Sequence, residues 1–367
     1  MRVLILSCNT GEGHNSCAKA IKEVFDVKCD ACVIEDALRF ISDKASNFIS
    51  WGHTYVYRNL PWLFNWGYGF TENHTDVFKE HNMLYNFFRK GADELYNFIV
   101  SENYDTVICV HPFAALMLTE VKRRYDLPIK TAFVATDYTC SPSVKDSDLD
   151  YYFIPDENLM SEFESTHIPK EKMLASGIPI RQMFYSSTEK ESAKAANGVP
   201  ANHKHIVMMC GSMGCGPIEK LTGLLTEKVQ ENFTLTVVCG TNDKLKQYLE
   251  KKYGSRKNLQ VKGFVKDMSC LLDSADLYLT KAGGISVSEA AVKNVPMIFI
   301  NAVAGCEEYN SRFFAEYGCY LNGNTAGELF HIVLELLKDE PRYNRIISAM
   351  SKRKTFNAAE KIYDTLR

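Results

Sequence analysis

A chain of 367 residues is too long for one ordinary hydrophobic core and long enough for two domains of common size. Its 46% hydrophobic and 24% charged content is that of a globular protein, and no apolar run approaches the ~18 to 20 residues of a membrane-spanning helix. A formal net charge of -3 gives no global basic signal, so nucleic acid is not an expected partner, although Lys122-Arg123-Arg124 forms a local basic patch. Met1 leads directly into an apolar strand without the charged region and apolar segment of a secretory signal, so cytoplasmic residence is expected. The twelve cysteines are scattered through strand-like runs and read as reduced, buried thiols. Cys29 and Cys32 have a metal or redox spacing, but no second such pair accompanies them, which favours structural thiols.

Arg2 to Ser7 reads as a strand, followed by the glycine loop Gly11-Glu12-Gly13-His14-Asn15-Ser16 and a helix over Cys17 to Phe25. A Rossmann dinucleotide fingerprint would want a third glycine at position 16, and Glu35 at the end of the next strand is placed like a ribose-binding acid. His14 falls at the carboxyl end of the first strand, where open α/β folds bind ligands, and an imidazole there can serve as general base near neutral pH; the plainer alternative is a capping or packing histidine. Residues 37 to 100 break this rhythm with an aromatic-rich, largely helical insertion carrying Trp51, Trp62, Phe64 and Trp66. Such rings favour a membrane interface, and the competing reading is a helical layer on the sheet. The α/β pattern resumes with a strand over Thr106 to Val110, then His111-Pro112, a helix to Tyr125, and a strand over Lys130 to Ala135 ending in Thr136-Asp137-Tyr138. His111 and Asp137 again fall at strand ends. Further strands are expected at Tyr151 to Ile154 and Lys172 to Ala175. The polar stretch 186 to 204 reads as a linker, which closes a first domain at residues 1 to 185.

The pattern then starts afresh. A strand over His205 to Cys210 leads into Gly211-Ser212-Met213-Gly214, and strands at Thr234 to Cys239, Leu259 to Lys262, Leu277 to Thr280 and Met297 to Ile300 follow, with helices from there to Arg367. At Lys281-Ala282-Gly283-Gly284-Ile285-Ser286 an apolar strand ends in two glycines and a helix begins. A glycine pair lets backbone approach a bulky anion, and the N–H groups and dipole of the following helix favour a diphosphate. Glu289 is then placed to accept from ribose hydroxyls. Taken alone the two glycines would equally suit a tight turn. Residues 205 to 345 form the second domain and 346 to 367 a C-terminal helix; two α/β units with glycine loops imply a ligand cleft.

The segment Gly11 to Ala18 resembles the N-terminal motif of the monogalactosyldiacylglycerol synthases and processive diacylglycerol glucosyltransferases. Thr136-Asp137-Tyr138, Gly177 to Arg181, Gly240-Thr241-Asn242, Phe264 to Met268, Lys281 to Glu289 and Gly305-Cys306-Glu307 follow in that family's order and approximate spacing, over nearly the whole chain. The resemblance implies the GT-B architecture, two Rossmann-like domains facing a cleft, with the C-terminal helix crossing back to the first. It also implies uracil against the backbone of Phe264 and Val265 near Gly240 and Asn242, and ribose on Glu289. The diphosphate would rest on Gly283, Gly284, Ile285 and Ser286, bordered by Gly211, Ser212 and Gly214, with Arg181 across the cleft stabilising the leaving group. Glu307 and Asn310 would hold sugar hydroxyls. One departure is visible: the family's Gly-Gln-Glu reads Gly305-Cys306-Glu307, so a sugar-contacting amide is missing.

The implied reaction is an inverting transfer of glucose or galactose from UDP-glucose or UDP-galactose to diacylglycerol. His14 would deprotonate the acceptor and Asp137 would orient it or replace it. Gly13, His111 and the aromatic insertion would serve the acceptor and the membrane surface, anionic lipids included. The protein would be peripheral on the inner face of the membrane, with no cofactor and no metal. The rival readings are a UDP-sugar transferase for another acceptor, an NAD-dependent oxidoreductase using Gly11, Gly13 and Glu35, and a non-catalytic UDP-sugar sensor.

Overall fold

The structure, a computed structural model, describes residues 1–9, 12–29, 31–42, 86–87, 89–210, 217–228, 232–300, 305–352 and 356–367. Trp51, Trp62, Phe64 and Trp66 of the aromatic insertion, and the loop with Gly211, Ser212 and Gly214, lie outside the described residues, as does Gly11. Two compact units are present: Met1–Gln182 with Ala304–Tyr309 and Phe356–Arg367, and Met183–Val303 with Asn310–Thr355. Among the described residues no helix is long and apolar enough to cross a membrane.

The first unit is built on six parallel strands, β1 (Arg2–Ser7), β2 (Ala31–Asp36), β3 (Thr106–Cys109), β4 (Lys130–Val134), β5 (Tyr151–Ile154) and β6 (Met173–Ala175), in the order β2-β1-β3-β4-β5-β6. Val3 to Leu6 and Val107 to Cys109 are fully buried, the run of apolar residues that a parallel sheet covered on both faces requires. The helix Glu12–Lys28 follows β1 and turns Cys17, Ala18, Ile21, Val24 and Phe25 inward at helical spacing. The helix Pro112–Arg124 follows β3; His111 caps it in extended conformation and Pro112 opens it. Its last turn carries Lys122, Arg123 and Arg124, where cations meet the negative end of the dipole. Lys122 pairs with Asp150 and Arg124 with Asp93 and Glu120, so the local basic patch has acidic partners of its own.

Register fixes one end of this sheet. Leu6 of β1 lies level with Cys109 of β3, and Cys109 with Phe133 of β4, so the residues just beyond emerge at the same carboxyl edge. The chain leaves β1 toward β2 on one side and continues through β3 on the other. This reversal is the crevice where open α/β sheets bind ligands.

The second unit repeats the design with β7 (Lys204–Met209), β8 (Phe233–Val238), β9 (Leu259–Lys262), β10 (Leu277–Thr280), β11 (Met297–Ile300) and β12 (Tyr320–Gly323), ordered β12-β11-β10-β7-β8-β9. All pairings are parallel, and the order is the Rossmann one with its reversal between β7 and β10. Three features differ from the sequence expectation. Tyr320–Gly323 is an edge strand where only helices were expected, because four residues ending in Asn and Gly carry little strand signal. Residues 186 to 204, read as a linker, include a helix Lys190–Ala196 and belong to the second unit. There Lys190 and the buried Lys194 reach Asp276 at 2.8 and 3.3 Å, their apolar stems covering the unit while polar composition alone suggests a solvated tether. The C-terminal stretch forms two helices, Glu340–Ser351 and Ala358–Leu366, of which the latter belongs to the first unit. Its Tyr363 ring meets Phe25 edge-on at 5.3 Å, and Lys130 Nζ donates to the Leu366 carbonyl at 2.7 Å.

Candidate active site

At the carboxyl edge of the first sheet, His14 stands in the first turn of the helix Glu12–Lys28, beside the segments that leave β3 and β4. Its Nδ1 lies 2.7 Å from the carbonyl oxygen of Val110. A carbonyl can only accept, so Nδ1 carries the proton, and the neutral ring therefore keeps its lone pair on Nε2. The sheet end thus presets the tautomer a general base needs. Burial holds the pKa of His14 below the usual histidine value, with the Asp137 carboxylate and the Val110 carbonyl opposing that shift. His111 lies against it, ring centroids 4.5 Å apart and edge-on. The Nδ1 of His111 accepts from the Phe113 N–H at 3.1 Å, which assigns it the opposite tautomer, with its proton on Nε2. Burial pushes the nearby Cys8, Cys17 and Cys109 thiols up, so they are neutral and unsuited to nucleophilic work. The Cys32 thiol of the Cys29–Cys32 spacing is likewise pushed up to about 12 by burial.

In the second unit, β10 ends at Thr280, level with Met209 of β7, and Gly283 caps the helix Gly284–Val292. Gly283 has φ -74°, a value any residue adopts, and a Cβ added to it would meet nothing closer than Lys281 Cε at 3.8 Å. Neither backbone nor packing asks for glycine there, whereas the close approach of a ligand to the helix end would. Beneath this turn the Tyr278 phenol, 1% exposed, is pushed up by burial while hydrogen bonds to Thr280 and Ser286 act against the shift. Glu289 also raises it, which places that carboxylate close to the phenol. Ile285 is buried, and Ser286 and Glu289 are half-buried along the same helix. Gly240, at φ +58°, makes a turn that a side chain would strain, and Asn242 caps the helix Asp243–Tyr253 by accepting from Leu245 N–H at 3.0 Å. Phe264, beyond β9, is 74% exposed, and Val265 follows it.

Two family models meet this pair of units. The one described as monogalactosyldiacylglycerol (MGDG) synthase matches residues 14–180, and the one described as glycosyltransferase family 28 C-terminal domain matches residues 205–365. The chain is 25% identical over 370 residues to the processive diacylglycerol beta-glucosyltransferase of Staphylococcus aureus strain MRSA252, covering all of this chain and 92% of that one. Over both units the chain is thus similar to the monogalactosyldiacylglycerol synthases and processive diacylglycerol glucosyltransferases. The processive diacylglycerol beta-glucosyltransferase of Staphylococcus saprophyticus is 30% identical over 239 residues, 64% of this chain, and that match spans 60% of the relative's length. Among solved structures, MurG of Acinetobacter baumannii aligns over 100% of this chain and 99% of its own with a TM-score of 0.63. At 13% identity that likeness is one of fold, and the fold class is GT-B.

Several expected residues have structural partners of their own. Arg181 Nε donates to Glu23 Oε1, and Glu23 Oε2 accepts from the Gln182 N–H at 2.8 Å, so one carboxylate holds both residues in the first unit. Asn310 is fully buried, and its Nδ2 donates to the Ala282 carbonyl at 2.8 Å. The structure therefore sets that amide nitrogen as a brace beside the double-glycine turn. Glu307 is half-buried near the start of the helix Cys306–Glu316, next to the half-buried Cys306. Glu35, the ribose acid of the oxidoreductase reading, pairs with Arg39. Sequence reasoning did not single out Glu23, Tyr278 or the hydroxyl of Thr136, which lies 3.2 Å from His14 Nδ1. A threonine directly before the strand-end aspartate was the one local signal for the last of these.

Proposed function

We propose that the protein is an inverting glycosyltransferase that moves glucose or galactose from a UDP-sugar to diacylglycerol. The observation that carries the reading is the tautomer of His14. With Nδ1–H donated to Val110, Nε2 is the basic atom at the carboxyl edge of the first sheet. In the reaction Nε2 takes the proton of a primary hydroxyl of diacylglycerol. The oxygen then forms a bond to the anomeric carbon as the bond from that carbon to the diphosphate breaks, and UDP leaves with the electron pair. The helix end at Gly283 and Gly284 supplies N–H groups and dipole for the developing negative charge. No cofactor enters this scheme. The names of the staphylococcal relatives support diacylglycerol as acceptor, which would bring the protein to the cytoplasmic surface of the membrane as a peripheral enzyme.

The test pairs UDP-glucose, UDP-galactose and UDP-N-acetylglucosamine with dioleoylglycerol in mixed micelles and reads lipid products by mass spectrometry. A hexosyl diacylglycerol from one of the first two donors is the expected outcome. Donor hydrolysis without a lipid product would move the acceptor elsewhere, to the class that the Cys306 substitution leaves open. Tight NAD binding with no UDP binding would overturn the reading altogether.

A further inference from the structure

We propose that Thr136 is the positioning residue that couples Asp137 to His14, its hydroxyl standing between the imidazole and the carboxylate. The inference rests on the reading of His14 as the base. Thr136 Oγ1 lies 3.2 Å from His14 Nδ1 and 3.5 Å from Asp137 Oδ2. The direction of each bond follows from chemistry. The Val110 carbonyl at 2.7 Å and the carboxylate can only accept, so the single Nδ1 proton is shared between the carbonyl and Oγ1. Having accepted from the ring, the threonine hydroxyl has its own proton to give, and Asp137 is the acceptor beside it.

The arrangement acquires its value when Nε2 takes a proton. The imidazolium is a stronger donor from Nδ1, so the bond to Oγ1 tightens, and the carboxylate polarises the hydroxyl that receives it. Contacts of this kind are often long before substrate arrives and shorten as charge develops. Thr136 is 8% exposed, which leaves little room for water to stand in for its hydroxyl. It stands two residues beyond the end of β4, and its branched side chain limits the rotamers that could swing the hydroxyl away.

Among the described groups facing His14, the Asp137 carboxylate is the charge that raises its pKa. From the segment after β3, His111 meets it edge-on, with Nδ1 occupied by the Phe113 N–H and the ring neutral. On its own helix, Cys17 has a buried thiol pushed up in pKa and so uncharged. The segment after β4 supplies Thr136 and Asp137.

The experiment is a titration of His14 by ¹⁵N-detected NMR in the full chain, for the parent, Thr136→Val, Thr136→Ser and Asp137→Asn, and for Asp137→Asn combined with Thr136→Val. Thr136→Val is expected to lower the His14 titration midpoint and Thr136→Ser to restore it, because an acceptor for the imidazolium is lost and regained. Asp137→Asn should lower the midpoint in the parent and have a smaller effect in Thr136→Val, where only the through-space charge of Asp137 still acts on the ring. If Thr136→Val leaves the midpoint unchanged, or Asp137→Asn keeps its full effect there, the coupling through Thr136 is refuted. Thr136→Ala serves as a second variant should the valine protein not fold, with the same two outcomes. Turnover is then read separately: kcat should fall about tenfold or more in Thr136→Val with KM for the donor little changed. A coupled titration with normal turnover in both Thr136→Val and His14→Ala would keep the coupling and sink the catalytic reading.

Discussion

Asn310 Nδ2 donates to the main-chain carbonyl of Ala282 at 2.8 Å, which ties the helix Cys306–Glu316 to the turn that precedes Gly283. The side chain is fully buried, so water cannot replace it. Asn310→Leu fills a similar volume and leaves the carbonyl unsatisfied, and it should cost about 1 to 3 kcal/mol of stability. Denaturant unfolding measures the first effect, and calorimetry with UDP should show a parallel loss of affinity as the turn loosens. Unchanged stability would mean that the carbonyl finds another donor and that the brace is dispensable.

Gly283 separates packing from binding. Because an added Cβ meets nothing nearer than 3.8 Å and φ is -74°, Gly283→Ala should leave stability within about 0.5 kcal/mol of the parent. A ligand seated against the helix end would meet that methyl, so UDP affinity should drop about tenfold or more, which corresponds to about 1.4 kcal/mol. Equal UDP affinity in the two proteins would remove the diphosphate from this turn.

Glu289 lies along the same helix, close enough to the Tyr278 phenol to raise its pKa. Glu289→Ala should weaken UDP binding by about 1 to 3 kcal/mol, the range for leaving a buried hydrogen-bonding partner unsatisfied. Deoxyuridine diphosphate is the useful control: the mutation should matter less for a ligand with one ribose hydroxyl fewer. An identical loss with both ligands would point to the helix turn and away from the sugar.

Most strands were legible because both sheets are parallel and buried on both faces, so segments such as Val107 to Cys109 and Met297 to Ile300 are unbroken apolar runs. Tyr320–Gly323 was not, since an edge strand of four residues lacks that signature. The site residues at strand ends could be placed because loops in this topology carry the ligand groups. Their pairings could not. Arg181 and Glu23 are 158 positions apart, and nothing local to either residue announces the other. The Thr136 hydroxyl is invisible for a different reason: its role depends on the register of β3 with β4, which brings Val110 and Thr136 to one imidazole.

His205 gives the protein an acid sensitivity that belongs to its core. It is fully buried on β7, with Nδ1 2.9 Å from Ser274 Oγ and Nε2 2.8 Å from Thr236 Oγ1. Burial lowers its pKa to about 4, with Asp276 opposing. The unfolded chain, with an ordinary histidine near 6.5, therefore binds more protons between those values, and stability falls as pH drops below about 6.5. The full difference amounts to about 3 kcal/mol once pH is well below the folded value. Unfolding followed from pH 7 to 5 should show this slope, to which the lowered pKa of His14 adds in the same sense. His205→Gln should flatten it; an unaltered slope would assign the acid loss to other groups.

The catalytic assignment to His14 makes the sharpest demand on pH. The base must be neutral, and burial holds its pKa below the ordinary histidine value, so turnover should persist below about pH 6.5 and fall only as pH passes through the lowered value. Asp137 acts against that lowering, so Asp137→Asn should carry the acid limb of kcat/KM to still lower pH while reducing the rate at its plateau. His14→Ala should lower kcat by about 10² to 10⁴, the usual contribution of a positioned general base, and remove the limb. UDP binding should change little, since the uracil, ribose and helix-end diphosphate contacts are assigned to the second unit. An acid limb centred above the ordinary histidine value would contradict a buried neutral imidazole. A folded His14→Ala protein with near-parent turnover would pass the base to Asp137, and Asp137→Asn in that background would then have to abolish transfer.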